Sequence, residues 1–154
     1  MRIWIDADAC PQAIREIILR ASNRLEVVVV FVANRATAPH RFRFVTSVQV
    51  GRELDAADAH IAAHAQGGDI VVTADIPLAA RVVAKGAVAI DPRGDVFTEE
   101  NVGGRLAPRD LLQGLRSEGN VTGGPAPFSQ GDRQRFANAF DRLLTAAGRQ
   151  VSSS

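Results

Sequence analysis

Residues 3–11, Ile3-Trp4-Ile5-Asp6-Ala7-Asp8-Ala9-Cys10-Pro11, decide how the rest of the chain is arranged. Three apolar residues run straight into two acids and a proline, the pattern of a buried strand that ends at a polar edge and turns into a helix, whose first turn tolerates Pro11. Three later runs are alike. Residues 27–33, 70–73 and 88–90 are apolar and mostly β-branched with no polar alternation, as expected for strands of a parallel sheet covered on both faces. Helical periodicity fills the gaps: Ile14, Ile17, Ile18, Ala21 and Leu25 form one stripe, and Leu78, Ala79, Val82 and Val83 form another that stops at Gly86. Strand and helix alternate, which predicts a three-layer α/β domain with a mainly parallel central sheet.

The rest of the chain extends this core. Asp91-Pro92-Arg93-Gly94 has turn composition, Pro108 opens a helical segment carrying Leu111, Leu112 and Leu115, and residues 119–131 form a loop containing Thr122-Gly123-Gly124-Pro125. Ser129 and Asp132 have capping-box spacing for a last helix, whose buried face is Phe136, Phe140, Leu143, Leu144 and Ala147. The expectation is one domain over residues 1–147 with a C-terminal helical extension and a disordered tail at 148–154. At 154 residues, with 46% hydrophobic and 23% charged residues, the chain belongs with globular domains rather than disordered or fibrous chains. Its longest apolar run, residues 27–33, falls far short of the roughly 20 residues that cross a bilayer, so no membrane segment or signal peptide is expected. The single cysteine, Cys10, has no internal disulfide partner; a reducing, cytoplasmic setting is expected.

Every strand of a parallel sheet ends on the same rim, and ligands of such sheets bind outside the carboxyl ends. Asp6 and Asp8 follow the first strand, Asn34 and Arg35 the second, Asp75 the third and Asp91 the fourth. A helix over residues 54–66 adds a further acid. With Leu54, Ala57, Ile61 and Ala65 as its apolar stripe, Asp58 lies about 40° from Leu54 and points inward, whereas Asp55 lies at about 100°, on the flank. Carboxylates that converge repel, and an oxygen-only cluster is the natural environment of magnesium or manganese, whose usual catalytic use is on phosphates. The competing reading is structural: Asp after a strand often caps the next helix, and Asp75 before Ile76-Pro77 suits that role. Asp69 precedes its strand and is assigned to a turn on the opposite rim.

Between Glu26 and Glu53 there is no acid, while Arg35, His40, Arg41, Arg43 and Arg52 accumulate; Asn34, Arg35, Arg41 and Arg43 are the candidates for meeting a phosphate backbone. The overall charge of +1 supplies no general attraction for nucleic acid. His60 and His64 have the spacing of a zinc pair but lack further ligands, Cys10 has no histidine to activate it, and Trp4 is assigned to the core.

Residues 3–11, the acids Asp55 and Asp58, the run Val71-Val72-Thr73-Ala74-Asp75-Ile76-Pro77-Leu78-Ala79, Pro92-Arg93-Gly94, and Thr122-Gly123-Gly124-Pro125 with Ser129, Asp132, Arg133 and Phe136 together closely resemble the YaiI/YqxD family of uncharacterised bacterial proteins. That resemblance covers nearly the whole chain. The family is regarded as similar to PIN-like nuclease domains, which carry metal-binding acids after the first strand, on a central helix and after a later strand. Asp6, Asp58 and Asp75 match those places, with Asp55 as a stand-in for a further helical acid. The resemblance implies a magnesium- or manganese-dependent nuclease acting on RNA, with Asp8 assisting or orienting water. Two rivals stand beside it. One is a haloacid-type phosphatase with Asp6 as nucleophile and Asp8 as acid, which wants a lysine near the site, Lys85 being the chain's only one. The other is an inactive module that binds RNA or a protein partner.

Overall fold

The computed structural model describes residues 1–35, 42–53, 55–105 and 128–153. Arg41, Leu54, the segment opened by Pro108 and the Thr122–Pro125 motif lie outside them.

The first strand, β1 (Arg2–Asp6), is the hinge of the sheet. A 3-10 turn (Ala7–Ala9) follows it, then α1 (Gln12–Leu25), β2 (Val28–Ala33), β3 (Val45–Gln49), α2 (Ala56–His64), β4 (Ile70–Val72), α3 (Ile76–Ala84), β5 (Val88–Ile90), β6 (Val96–Phe97), α4 (Glu99–Arg105) and α5 (Gln130–Ser153). The six strands lie in the order β3-β2-β1-β4-β5-β6. All pairs are parallel except β5 with β6. The expected α/β architecture is therefore present, and all four expected strands are among the six.

Strand parity sorts the core into two layers. Ile3, Ile5, Val29, Phe31, Ile70 and Val72 face α1 and α5, meeting Ile14, Ile18, Phe136 and Phe140. Trp4, Val30, Val32, Val71 and Ala89 face the other way, against Ile61 and Ala62 of α2 and Leu78, Ala79, Val82 and Val83 of α3. Each of these fully buried large side chains contributes about 1.5–3 kcal/mol of transfer free energy. Asp6 shares the parity of Trp4, so its carboxylate belongs to the face covered by α2 and α3.

The strand order also locates a crevice. From β1 the chain moves to one side to reach β2, and from β4 to the other side to reach β5. Right-handed crossovers then place α1 and α3 on opposite faces, which leaves a gap above the C-terminal ends of β1 and β4. Asp6 ends β1 and Asp75 stands three residues past β4.

Three elements depart from the sequence expectation. β3 is not an apolar run: residues 45–49 read Val-Thr-Ser-Val-Gln, with Thr46, Ser47 and Gln49 exposed at the sheet edge, where only one side needs covering. β6 is too short to carry a pattern. It returns through a turn closed by Asp91, whose Oδ1 accepts from the Arg93 and Asp95 N–H groups at 2.7 and 3.4 Å. In that turn Gly94 takes φ 99° against α5; a Cβ there would lie 2.7 Å from the Arg135 carbonyl carbon, so only glycine fits. Finally, α5 continues to Ser153 where a disordered tail from 148 is expected. Gly148 alone is a weak stop, since one helical glycine costs only about 1 kcal/mol.

The capping box at the start of α5 is formed as its spacing requires. The Ser129 N–H donates to Asp132 Oδ2 at 3.0 Å, and the Asp132 N–H donates to Ser129 Oγ at 3.1 Å. Arg135 pairs with the same carboxylate, and Arg93 lies 3.6 Å from it.

Candidate functional site

Asp6, Asp58 and Asp75 come together at the crevice, each delivered by a different element. Asp6 is the last residue of β1, half-buried on the α2/α3 face. Asp58 sits in the first turn of α2. Asp75 is the N-cap of α3, where its Oδ1 accepts the Leu78 N–H at 2.7 Å and its own N–H donates to Thr73 Oγ1 at 3.0 Å. The capping role weighed in the sequence is thus real, but it occupies one oxygen and fixes the side chain's direction. The other oxygen is left outside the cap.

The electrostatics show how tightly the acids crowd. Burial pushes the Asp58 carboxyl up to about 6, and the nearby charges of Asp75, Asp6 and Asp55 push in the same sense. A protonated Asp58 donates a hydrogen bond to the Asp75 carboxylate, which again favours the neutral form of Asp58. Asp6 is raised as well, first by burial and then by Asp8 and Asp75. Among the described residues none of the three forms an ion pair.

The remaining acids divide by geometry. Asp8 is exposed and accepts the Asn34 N–H on its Oδ2 at 3.0 Å, tying the 3-10 turn to the end of β2. Asp55, also exposed, is the N-cap residue of α2 without a side-chain cap bond; its charge is the smallest influence on Asp58. Asp91 is occupied by its turn and is not among the groups that raise Asp6 or Asp58. Asp69, buried on the opposite rim, accepts from the Arg2 N–H at 3.0 Å, Trp4 Nε1 at 3.1 Å and the Gln66 N–H at 2.9 Å. It closes that edge of the fold, as its position before β4 predicts.

The basic candidates are split between the rims. Asn34 and Arg35 stand just past β2, on the side of the acids. Arg43 precedes β3, which pairs parallel to β2, so it lies at the far rim with its guanidinium 5.5 Å above the Phe44 ring. The structure separates Arg43 from the acid cluster because a basic run that spans the entry to a parallel strand cannot stay on one rim. Arg52, three residues past the end of β3, returns to the near rim. Sequence proximity masked this; recognising β3 would have revealed it.

Arg15 is a residue the sequence did not single out. From α1 it donates to the Ala7 carbonyl and stacks 5.9 Å over Phe31, while its buried Nε has no hydrogen-bond partner. It thereby pins the turn between Asp6 and Asp8. The neighbouring Cys10 thiol is pushed up to about 11 by burial, with Arg15 opposing and Asp6 reinforcing, so it carries little thiolate at neutral pH. His60 and His64 stack on each other at 4.1 Å beside Trp4, and His64 Nδ1 lies 2.8 Å from the His60 carbonyl. Lys85 caps the C-terminal end of α2, donating to the carbonyls of Ala62 and Ala63 at 2.9 and 3.4 Å, on the rim away from the acids.

The donor set suits a hard dication: carboxylate oxygens only, crowded enough to favour protonation when no cation is present. Among the described residues, however, no group of three or more His, Cys, Asp or Glu side chains stands in position to hold a metal ion by itself.

Residues 4–146 match the family described as "Uncharacterized BCR, YaiI/YqxD family". A UPF0178 protein of Trichlorobacter lovleyi is 58% identical over 151 residues, covering 98% of both chains. One of Myxococcus xanthus is 59% identical over 145 residues, covering 94% of this chain and 95% of its own. Another, from Bordetella avium, is 49% identical over 152 residues and 99% of each. No solved structure matches. The likeness holds across almost the whole length, the acid-bearing segments included, and the chain belongs to the YaiI/YqxD family.

Proposed function

We propose that the crevice above β1 and β4 is a phosphodiester-hydrolysing site that works on RNA with magnesium or manganese. The observation that carries the reading is the Asp58–Asp75 carboxyl pair beside Asp6: three acids from three elements at the switch point of a mainly parallel sheet, with Asp6 and Asp58 both raised by burial and by their acidic neighbours. A structural cluster has no use for such repulsion. A dication relieves it, and when bound it supplies Lewis-acid polarisation of a phosphoryl oxygen.

In this reading Asp58 and Asp75 hold the ion, with Asp6 completing the negative field. Asp75 is pre-aimed by its cap on Leu78. Asp58, in the first turn of α2, supplies the second carboxylate to the ion. Asp8, held by the Asn34 N–H, orients the turn that carries Asp6. Arg15 supports the same turn from below. The phosphatase alternative loses ground on geometry, because Lys85 is engaged on the opposite rim.

The test is incubation of the purified protein with labelled single-stranded RNA and manganese, comparing it with Asp58→Asn and Asp75→Asn. Asparagine caps a helix about as well as aspartate, so the second variant keeps α3 intact. Cleavage by the wild type that drops at least a hundredfold in both variants is expected. Equal cleavage by all three would remove the assignment.

A further inference from the structure

Beside the acid crevice, at the ends of β2 and β3, lies a cleft of about 470 Å³ lined by Asn34, Arg35 and Arg52. We propose that this cleft is a phosphate subsite that engages the backbone of a single-stranded polynucleotide one step away from the reacting phosphate. It takes the RNA reading as its premise and specifies which kind of ligand can satisfy both sites.

The cleft is built by pairing. Ala33 pairs with Gln49, and the Val50 N–H donates to the Ala33 carbonyl at 2.9 Å, so residues 34–35 and 51–52 leave the sheet side by side. Two guanidiniums distant in sequence therefore face one space. Among the described residues neither forms an ion pair. The acid that follows Arg52 does not line the cleft: the Glu53 carboxylate folds back over Gly51, a position where a Cβ would strike it. Planar guanidinium groups suit phosphate oxygens, and the Asn34 amide adds donors of its own.

Position supplies the ligand class. The cleft stands over β2 and β3, whereas the acids stand over β1 and β4, so the centres are about two strand spacings apart, roughly 10 Å. A lone phosphate group does not reach across that distance. A ligand that fills both sites must carry at least two phosphates along a chain, as a polynucleotide does and a phosphomonoester does not. Asp8 links the two halves, since its carboxylate holds the Asn34 N–H and its charge acts on Asp6.

Binding at the cleft needs no divalent cation, which separates its test from that of hydrolysis. The measurement is fluorescence anisotropy of a short labelled RNA in EDTA, at several salt concentrations, with wild type, R35Q/R52Q and R43Q, all checked for unchanged melting. Because Arg35, Arg52 and Arg43 are exposed, all three proteins should fold. The expected result is roughly tenfold weaker binding by R35Q/R52Q, with a salt slope smaller by about 2, and no change for R43Q on the far rim. Arginine-dependent binding by a protein that cleaves nothing would sustain the subsite while removing the hydrolytic reading. Affinity unchanged in R35Q/R52Q would overturn the subsite even if cleavage persists. Inorganic phosphate or a mononucleotide that binds as tightly as the oligonucleotide would overturn the requirement for a chain.

Discussion

The two rims of the sheet use the same residue type in opposite ways. At the N-terminal rim, Asp69 accepts three N–H donors from Arg2, Trp4 and Gln66, and Lys85 closes the end of α2. Charge there is matched by donors, and the fold is the beneficiary. At the C-terminal rim, Asp6, Asp58 and Asp75 come together, and among the described residues only Asp75 of the three accepts a backbone N–H, that of Leu78. A matched acid stabilises its surroundings; an acid matched only by other acids stores repulsion that a ligand can relieve. The contrast is what favours the C-terminal rim as the site proposed above.

Asp69→Ala breaks the first half of the comparison and has the largest expected effect. It orphans three donors at once, one of them on the buried Trp4 ring, and the expected loss is about 3 kcal/mol. That corresponds to a melting temperature lower by roughly 6–12 °C, read by calorimetry or urea titration. A loss no larger than that of a surface substitution would mean that the N-terminal rim does not depend on this carboxylate. Ser129→Ala is a smaller probe of a matched acid, Asp132, which stands beside Arg93 past the end of β5 and so on the C-terminal rim; it removes the oxygen that caps the first turn of α5. About 1 kcal/mol is expected, with a melting decrease of about 2–4 °C.

Sequence reasoning reached the acids more readily than the cations, for a physical reason. Asp6 and Asp75 announce themselves because each directly follows an apolar run, and strand parity then fixes the face of Asp6. Asp58 follows from helical arithmetic. The arginines depend on where an edge strand begins and ends, and β3, with Thr46, Ser47 and Gln49 exposed, has no hydrophobic signature to mark it. Hence Arg35 and Arg43 read as one group although a whole strand separates their rims, and Arg52, named in the same basic run, shows no sign in the sequence of its return to the near rim. Arg15 and the three donors on Asp69 are tertiary facts: nothing in local spacing tells that an α1 guanidinium meets the Ala7 carbonyl, or that Asp69 meets Trp4 across 65 residues of chain.

The smallest effect sharpens the comparison furthest, because the two kinds of acid must respond to pH with opposite sign. The Asp132 carboxyl is held low, chiefly by the Ser129 N–H, so its stabilisation is present at neutral pH and is lost only as pH falls through the depressed value below 3.8. Asp58 is raised from 3.8 to about 6. Between those values the folded chain keeps a proton that the unfolded chain has released, so stability falls as pH rises across the window and the loss is complete above it. Asp6 acts in the same sense. Since Asp58 is partly open to solvent, screening limits its share to about 1 kcal/mol or less, a change of about 2–4 °C in melting temperature. In EDTA, urea melts at several pH values across the window should therefore show a decline for wild type, a shallower one for Asp58→Asn, and for that variant a higher stability at neutral pH. Adding magnesium or manganese should flatten the wild-type decline and leave the variant nearly unmoved, because a bound dication replaces the proton as the relief of crowding. A wild-type protein whose stability rises through the same window would show that the acids at this rim are as well matched as Asp69, and the distinction between the rims would be lost.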